Sequence, residues 1–184
     1  MRILGIDPGS NATGYGVVDQ SSGKLTHVAH GILRPPKDAD TAQRLAFIHR
    51  GITAVIEEFR PEGCSIERVF VANNVRSALV LGQARGVAMA AMGTCALPVS
   101  EVSAREVKKA IVGTGAATKA QVQEMVKRLL ELEKVPPTDA ADALAIAICL
   151  AHAGKLAGLG VRSGRSRSRR RTSVRGHFAL RGVK

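Results

Sequence analysis

Residues 2–7, RILGID, are an apolar run closed by a carboxylate, the pattern of a strand buried on both faces. The turn formers of PGSNATGYG follow. Then YGVVD and LTHVAHGIL read as further strands on either side of the tight turn at SSGK, so the chain opens as a three-stranded antiparallel meander. Between residues 40 and 59 the period changes: Leu45, Ile48, His49, Ile52, Val55, Ile56 and Phe59 recur every three or four positions, an amphipathic helix stopped by Pro61 and Gly63. CSIERVFVANN returns to strand, running into a polar end. Residues 76–93 are helical, and ALPVSEV is a fifth strand. VSAREVKKAIVG makes a short helix and GTGA a loop. Thr118 and Gln121 then give a T-x-x-Q start, as in a capping box, to a helix whose apolar face is Val122, Met125, Val126 and Leu129. A last helix, from about Asp139 to His152, carries Ala, Leu and Ile on most sides, as a buried helix does. The order β-β-β-α-β-α-β-α-α-α predicts an α/β fold: a mixed five-stranded sheet, three strands antiparallel and then parallel ones, with helices on both faces.

The helix over 76–93 lines up Leu79, Gly82, Gly86 and Ala90 on one stripe. Two glycines four apart cost about 1 kcal/mol each in helix propensity, which makes sense where another backbone approaches closely. From about Gly154 the pattern dissolves into GLGVRSGRSRSRRRTSVRG, too poor in apolar surface to repay ordering, so residues 155–184 are expected to be a disordered basic tail behind a folded unit of 1–154. Charge sharpens that division. Ten of the 27 Lys and Arg lie in residues 155–184, which hold no Asp or Glu, leaving 17 basic against 15 acidic residues in the folded part. The positive field belongs to the last thirty residues.

At 184 residues the chain is one domain plus tail, large enough to bury a core without disulfides or a structural metal. Cys64, Cys95 and Cys149 are odd in number, far apart and without C-x-x-C spacing, which rules out the usual zinc motifs and a disulfide framework. They read as small hydrophobes in a reducing compartment. No apolar run reaches about 18 residues and the start MRILGID lacks signal-peptide architecture, so a cytoplasmic protein with no membrane span is expected.

Most carboxylates fall where solvent is expected, but four do not. Asp7 ends a fully apolar strand, Glu67 interrupts the apolar strand SIERVFV, and Asp139 and Asp142 open the most hydrophobic helix, three residues apart and so on one face. Each alone has an ordinary explanation: a turn aspartate before Pro-Gly, a helix-start residue, a first-turn partner of the helix dipole. Together they do not. The first and fourth strands of such a sheet are neighbours, which can bring all four acids to one place. Burying an unpaired carboxylate costs several kcal/mol, and four repel one another besides. A helix N-terminus offsets only roughly 0.3–1 kcal/mol each. Hard divalent cations are the natural counter-charge: two Mg²⁺ ions would neutralise four carboxylates, and all-oxygen ligation suits Mg²⁺ or Mn²⁺ rather than zinc.

The blocks GIDPGSNATGYGVVD, IERVFVANN, SALVLGQARGVA, VKKAIVGTGAATKAQVQ and PPTDAADALAIA resemble the RuvC-type Holliday-junction resolvases, crossover junction endodeoxyribonucleases of the ribonuclease H-like superfamily. The resemblance runs from residue 1 to about 152; the tail lies outside it. It implies a ribonuclease H-like fold and a two-metal nuclease site at Asp7, Glu67, Asp139 and Asp142, which nicks a four-way junction to leave 5′-phosphate and 3′-hydroxyl ends. Mg²⁺ or Mn²⁺ is expected to serve, with Ca²⁺ supporting binding but not cleavage. Lys108 and Lys119 match positions linked to DNA and the scissile phosphate, and Lys119 also follows a Gly-rich loop in the first turn of a helix, where free N–H groups, dipole and ammonium favour an anion. Phe70 matches an aromatic that inserts into the opened junction, against core packing as the alternative. Asn73 stands where some relatives have a lysine, so Asn73 and Asn74 offer hydrogen bonds and Arg76 the missing charge. The substrate's approximate two-fold symmetry calls for a C2 homodimer, with Leu79, Gly82 and Gly86 as the expected contact between helices and intrachain packing as the alternative. Coupling to the RuvA–RuvB branch-migration machinery is expected from the resemblance alone.

Three other functions compete. D-x-G before a Gly-rich turn also opens the phosphate hairpin of actin-like and sugar-kinase ATPases, but those need two such domains and this chain has one. A non-catalytic junction-binding protein has no use for four converging acids. A ribonuclease H-like nuclease acting on RNA or RNA–DNA hybrids is set aside only by the LGQARG-type blocks.

Overall fold

The computed structural model describes residues 1–68 and 75–158. Ten elements run in the expected order: β1 (Arg2–Asp7), β2 (Thr13–Ser21), β3 (Lys24–Leu33), α1 (Thr41–Phe59), β4 (Gly63–Glu67), α2 (Val75–Thr94), β5 (Val99–Val102), α3 (Ala104–Val112), α4 (Lys119–Leu129) and α5 (Thr138–Gly158). They build one five-stranded sheet in the order β3-β2-β1-β4-β5, antiparallel through the first three strands and parallel from β1 to β4 to β5.

Two apolar clusters, one on each face, hold the helices to the sheet. Ile3, Val18 and Val102 pack with α3, α4 and α5, while Leu4, Ile6, Val17, Cys64 and Ile66 pack with α1 and α2. Alternation along β1 therefore sends Leu4 and Ile6 to one face and leaves Ile3, Gly5 and Asp7 on the α5 face. Helix α5 lies flat on that face because glycines let it. A Cβ on Gly5 would stand 2.1 Å from the Ala143 carbonyl, and one on Gly14 would stand 1.9 Å from that of Asp139. Pressed so closely, α5 has Ala140, Ala141, Ala143, Leu144 and Ala145 fully buried.

Thr118 caps α4 as its T-x-x-Q start predicts, and two further helices are capped in the same way. Asp40, Ser103 and Thr118 cap α1, α3 and α4, each in a reciprocal capping box. Two readings change. Helix α5 continues to Gly158 rather than ending near His152, so it extends into the stretch read as tail; Lys155, Leu156 and Ala157 are good helix formers and carry it on. Among the described residues, helix α2 does not meet a second backbone of its own chain at the glycine stripe, since a Cβ on Gly82 or Gly86 would find none of them within 4 Å. Cys64 and Cys149 are buried and Cys95 half-buried, none of them paired. Phe70, Asn73, Asn74 and residues 159–184 lie outside the described residues.

Candidate active site

Three elements deliver the acids. Parallel pairing of β1 with β4 sets Ile6 beside Ile66, so the strands end side by side at Asp7 and Glu67. The first two turns of α5, seated over Gly14 at the start of β2, bring Asp139 and Asp142 to the same strand ends. Asp7, Glu67 and Asp142 line one pocket together with Lys108, Lys119, Ala104, Val107, Val122 and Ile146. Asp139 is not in that lining, yet its charge acts on Asp7. The four carboxylates thus form one electrostatic unit drawn from β1, β4 and α5.

The charge excess registers in the acids themselves. Burial first, and then the negative charges of Asp142, Glu67 and Asp139, push the Asp7 carboxyl up to about 7 against the opposing pull of Lys119. Burial and Asp142 likewise raise Glu67, opposed by Lys119 and Lys108. Lys119 itself is raised, chiefly by Asp142, whose Oδ2 lies 3.4 Å from its Nζ. That lysine is the first residue of α4, behind the Thr118 cap, and its side chain is 74% exposed while that of Asp142 is 24% exposed. Lys119 therefore balances one edge of the cluster without quenching it.

Among the described residues no three Asp, Glu, His or Cys side chains stand at the spacing of a preformed metal cage. The donor chemistry nonetheless fits a hard divalent cation. Every donor is a carboxylate oxygen, and a carboxyl held near 7 by burial and then by three neighbouring acids is one that a cation would relieve.

The remaining site residues are distributed unevenly. Lys108 on α3 is half-buried in the pocket wall. Arg76 is exposed in the first turn of α2. Leu79, 65% exposed, continues with Gly82 and Gly86 along the outer face of that helix. Two arginines that sequence reading passed over bond to the main chain close to the acids. Arg44 of α1 donates to the Ser10 carbonyl and to Asn11 Oδ1, pinning the turn that follows Asp7. Arg85 of α2 donates to the main-chain oxygen of Glu67. The signal for Arg85 was its place as a charged residue deep inside an otherwise small and apolar helical run.

A family model described as crossover junction endodeoxyribonuclease RuvC matches residues 3–150. The enzyme of that name from Polynucleobacter necessarius is 54% identical over 152 residues, 83% of this chain and 89% of that protein. The one from Geobacter sulfurreducens is 50% identical over 152 residues, 83% and 93% respectively. The structure of Thermus thermophilus RuvC in complex with Holliday junction substrate superposes with a TM-score of 0.78 at 32% identity, covering 88% of this chain and 97% of that one. The yeast mitochondrial Holliday junction resolvase Ydc2, at 13% identity and a TM-score of 0.63, shares the fold. With its paired strand ends, its acidic helix start and these matches along nearly the whole described chain, the protein belongs to the RuvC family of crossover junction endodeoxyribonucleases.

Proposed function

We propose that this chain is a structure-selective endodeoxyribonuclease that resolves four-way junctions by paired, symmetric nicks in homologous recombination and DNA repair. The observation that carries the reading is the meeting of Asp7, Glu67, Asp139 and Asp142 beside Lys119 at the ends of β1 and β4. Asp7, Glu67, Asp139 and Asp142 would hold two Mg²⁺ or Mn²⁺ ions, which when bound supply an activated water and charge neutralisation at the leaving 3′ oxygen. The chain's own part is positional. The paired strand ends present two carboxylates, the α5 start adds Asp142 to the pocket and Asp139 beside it, and the apolar side chains of Val107, Val122 and Ile146 complete the lining. Lys119 is exposed enough to turn from Asp142 toward a phosphate oxygen, and Lys108, which lines the same pocket, would hold the strand.

Two sites are needed for two nicks, and a C2 homodimer supplies them. The outer face of α2 supports that reading: Leu79 is exposed, and among the described residues nothing stands within 4 Å of where a Cβ on Gly82 or Gly86 would be. Phe70, Asn73, Asn74 and Arg76 are the proposed junction contacts, the aromatic by stacking on a base and the others by hydrogen bonds and charge. The RuvA–RuvB complex is the proposed partner and the cytoplasm the proposed location. No helix among the described residues is long and apolar enough to cross a membrane.

The test is Asp7→Asn assayed for binding and nicking on a four-way junction, alongside plain duplex and RNA–DNA hybrid, with Mg²⁺, Mn²⁺ or Ca²⁺. Wild type nicks the junction with Mg²⁺ or Mn²⁺, and the variant binds it without nicking. Parallel loss of binding and nicking makes Asp7 a structural aspartate, and preferential cleavage of the hybrid replaces the substrate.

A further inference from the structure

Arg85 approaches the acidic cluster from behind. Its Nε donates to the main-chain oxygen of Glu67 at 3.1 Å, and its Nη2 pairs with the Glu101 carboxylate on β5. The side chain is only 19% exposed. Alternation along β4 places Ile66 against α2 and turns the Glu67 carboxylate to the opposite face, into the pocket it shares with Asp142. Arg85 therefore holds Glu67 by its backbone and leaves its carboxylate to the pocket. The hold falls where the sheet gives out: the ladder between β1 and β4 stops at the Ile6–Ile66 pair, one residue short of Glu67. On the other edge Glu67 is opposite Val102, and the following amide, from Arg68, donates to the Val102 oxygen at 2.7 Å. With Arg85 in place the end of β4 is fastened on both sides, and Glu67 has a fixed origin from which to point.

We propose that Arg85 is a positioning residue for Glu67: its guanidinium, locked by Glu101, fixes the strand end that presents the Glu67 carboxylate to the divalent cation. The inference deepens the functional reading above and rests on it. Geometry requires the guanidinium, because one planar fork serves a carbonyl and a carboxylate at once, which a lysine ammonium on a flexible stem does not reproduce. Groups that orient metal-holding side chains typically change metal affinity 10–100-fold when removed.

The experiment compares full-length wild type with Arg85→Met, Arg85→Lys and Glu101→Gln. Mn²⁺ binding is read from the electron paramagnetic resonance signal of the free ion and from the rise in Tm with added Mn²⁺; junction binding is measured in EDTA and nicking across a Mn²⁺ titration. Arg85→Met and Arg85→Lys are expected to bind Mn²⁺ at least about tenfold more weakly, to bind the junction within about twofold of wild type, and to recover nicking as Mn²⁺ rises. Glu101→Gln weakens Mn²⁺ binding by a smaller factor, about threefold. Wild-type Mn²⁺ affinity in a cooperatively melting Arg85→Lys or Arg85→Met protein overturns the proposal. Should Arg85→Met fail to melt cooperatively, Arg85→Lys and Glu101→Gln decide. A wild type that neither binds Mn²⁺ nor nicks the junction strikes the functional reading instead, whereas one that does both beside unaffected variants strikes only the role of Arg85.

Discussion

The Asp7 carboxyl stands near 7 because burial and three neighbouring acids oppose its charge. That has a consequence for stability with a definite sign. Between its ordinary value of 3.8 and about 7 the folded protein keeps a proton that the unfolded chain releases, so without metal the fold weakens as pH rises through that window. The span corresponds to roughly 4 kcal/mol at most, shared among coupled acids. In EDTA, denaturant midpoints of wild type should fall from pH 4.5 to pH 8, those of Asp7→Asn should fall much less, and Mn²⁺ should restore wild type alone. Parallel profiles for the two proteins would remove Asp7 from the frustrated cluster. Lys119 offers a second check at this scale. Lys119→Met withdraws the charge 3.4 Å from Asp142 and should lower nicking about 100-fold while leaving junction binding nearly intact, measured by single-turnover cleavage beside a mobility shift.

At the scale of elements the glycines divide into two kinds. Gly5 and Gly14 allow α5 to lie on β1 and β2, with carbonyls about 2 Å from where a Cβ would be. Gly5→Ala must push α5 outward, at a cost of several kcal/mol, and it displaces Asp139 and Asp142 with the helix. A lower Tm together with lost nicking is expected; an unchanged Tm would mean that α5 has slack. Gly82 and Gly86 face open space among the described residues. Gly86→Leu should keep or slightly raise the Tm of the chain, by helix propensity of about 1 kcal/mol, while shifting sedimentation from dimer toward monomer. A sedimentation profile like that of wild type takes the stripe out of the interface. The periodicity showed these glycines as one helical stripe, but which surface they face depends on how α2 docks on the sheet, which its own residues do not encode.

For the molecule as a whole the asymmetry of charge is the governing feature. Residues 159–184 hold eight arginines and no acid, attached to a folded part whose charges nearly cancel. Truncation after Gly158 keeps α5 complete and removes that field. Binding to any DNA should weaken, and the slope of log affinity against log salt should flatten by about 0.9 for each phosphate the tail neutralises, with the choice of nick site unchanged. Equal slopes for the two lengths would show that the tail does not lie on DNA.

How far the chain itself discloses its work depends on the range of the interaction involved. Strand and helix periods, the capping box at Thr118 and the end of α1 before Pro61 arise from neighbours within a turn or two, and each is legible in the residues. The four acids are legible for a related reason. A carboxylate in an apolar run contradicts its local pattern, and the contradiction marks Asp7, Glu67, Asp139 and Asp142 before any coordinates exist. Arg85 broke its helix's pattern in the same way, but an arginine has many ordinary partners, and nothing local distinguishes one that grips a strand end 18 residues away. The tertiary structure alone decided that Asp142 joins the pocket wall while Asp139 acts on Asp7 from outside it, and that Lys119 answers Asp142. It also decided that the glycines of α2 look away from the core. Local pattern records which side chains are out of place; only packing, which sets distances between residues remote in the chain, determines which charges meet.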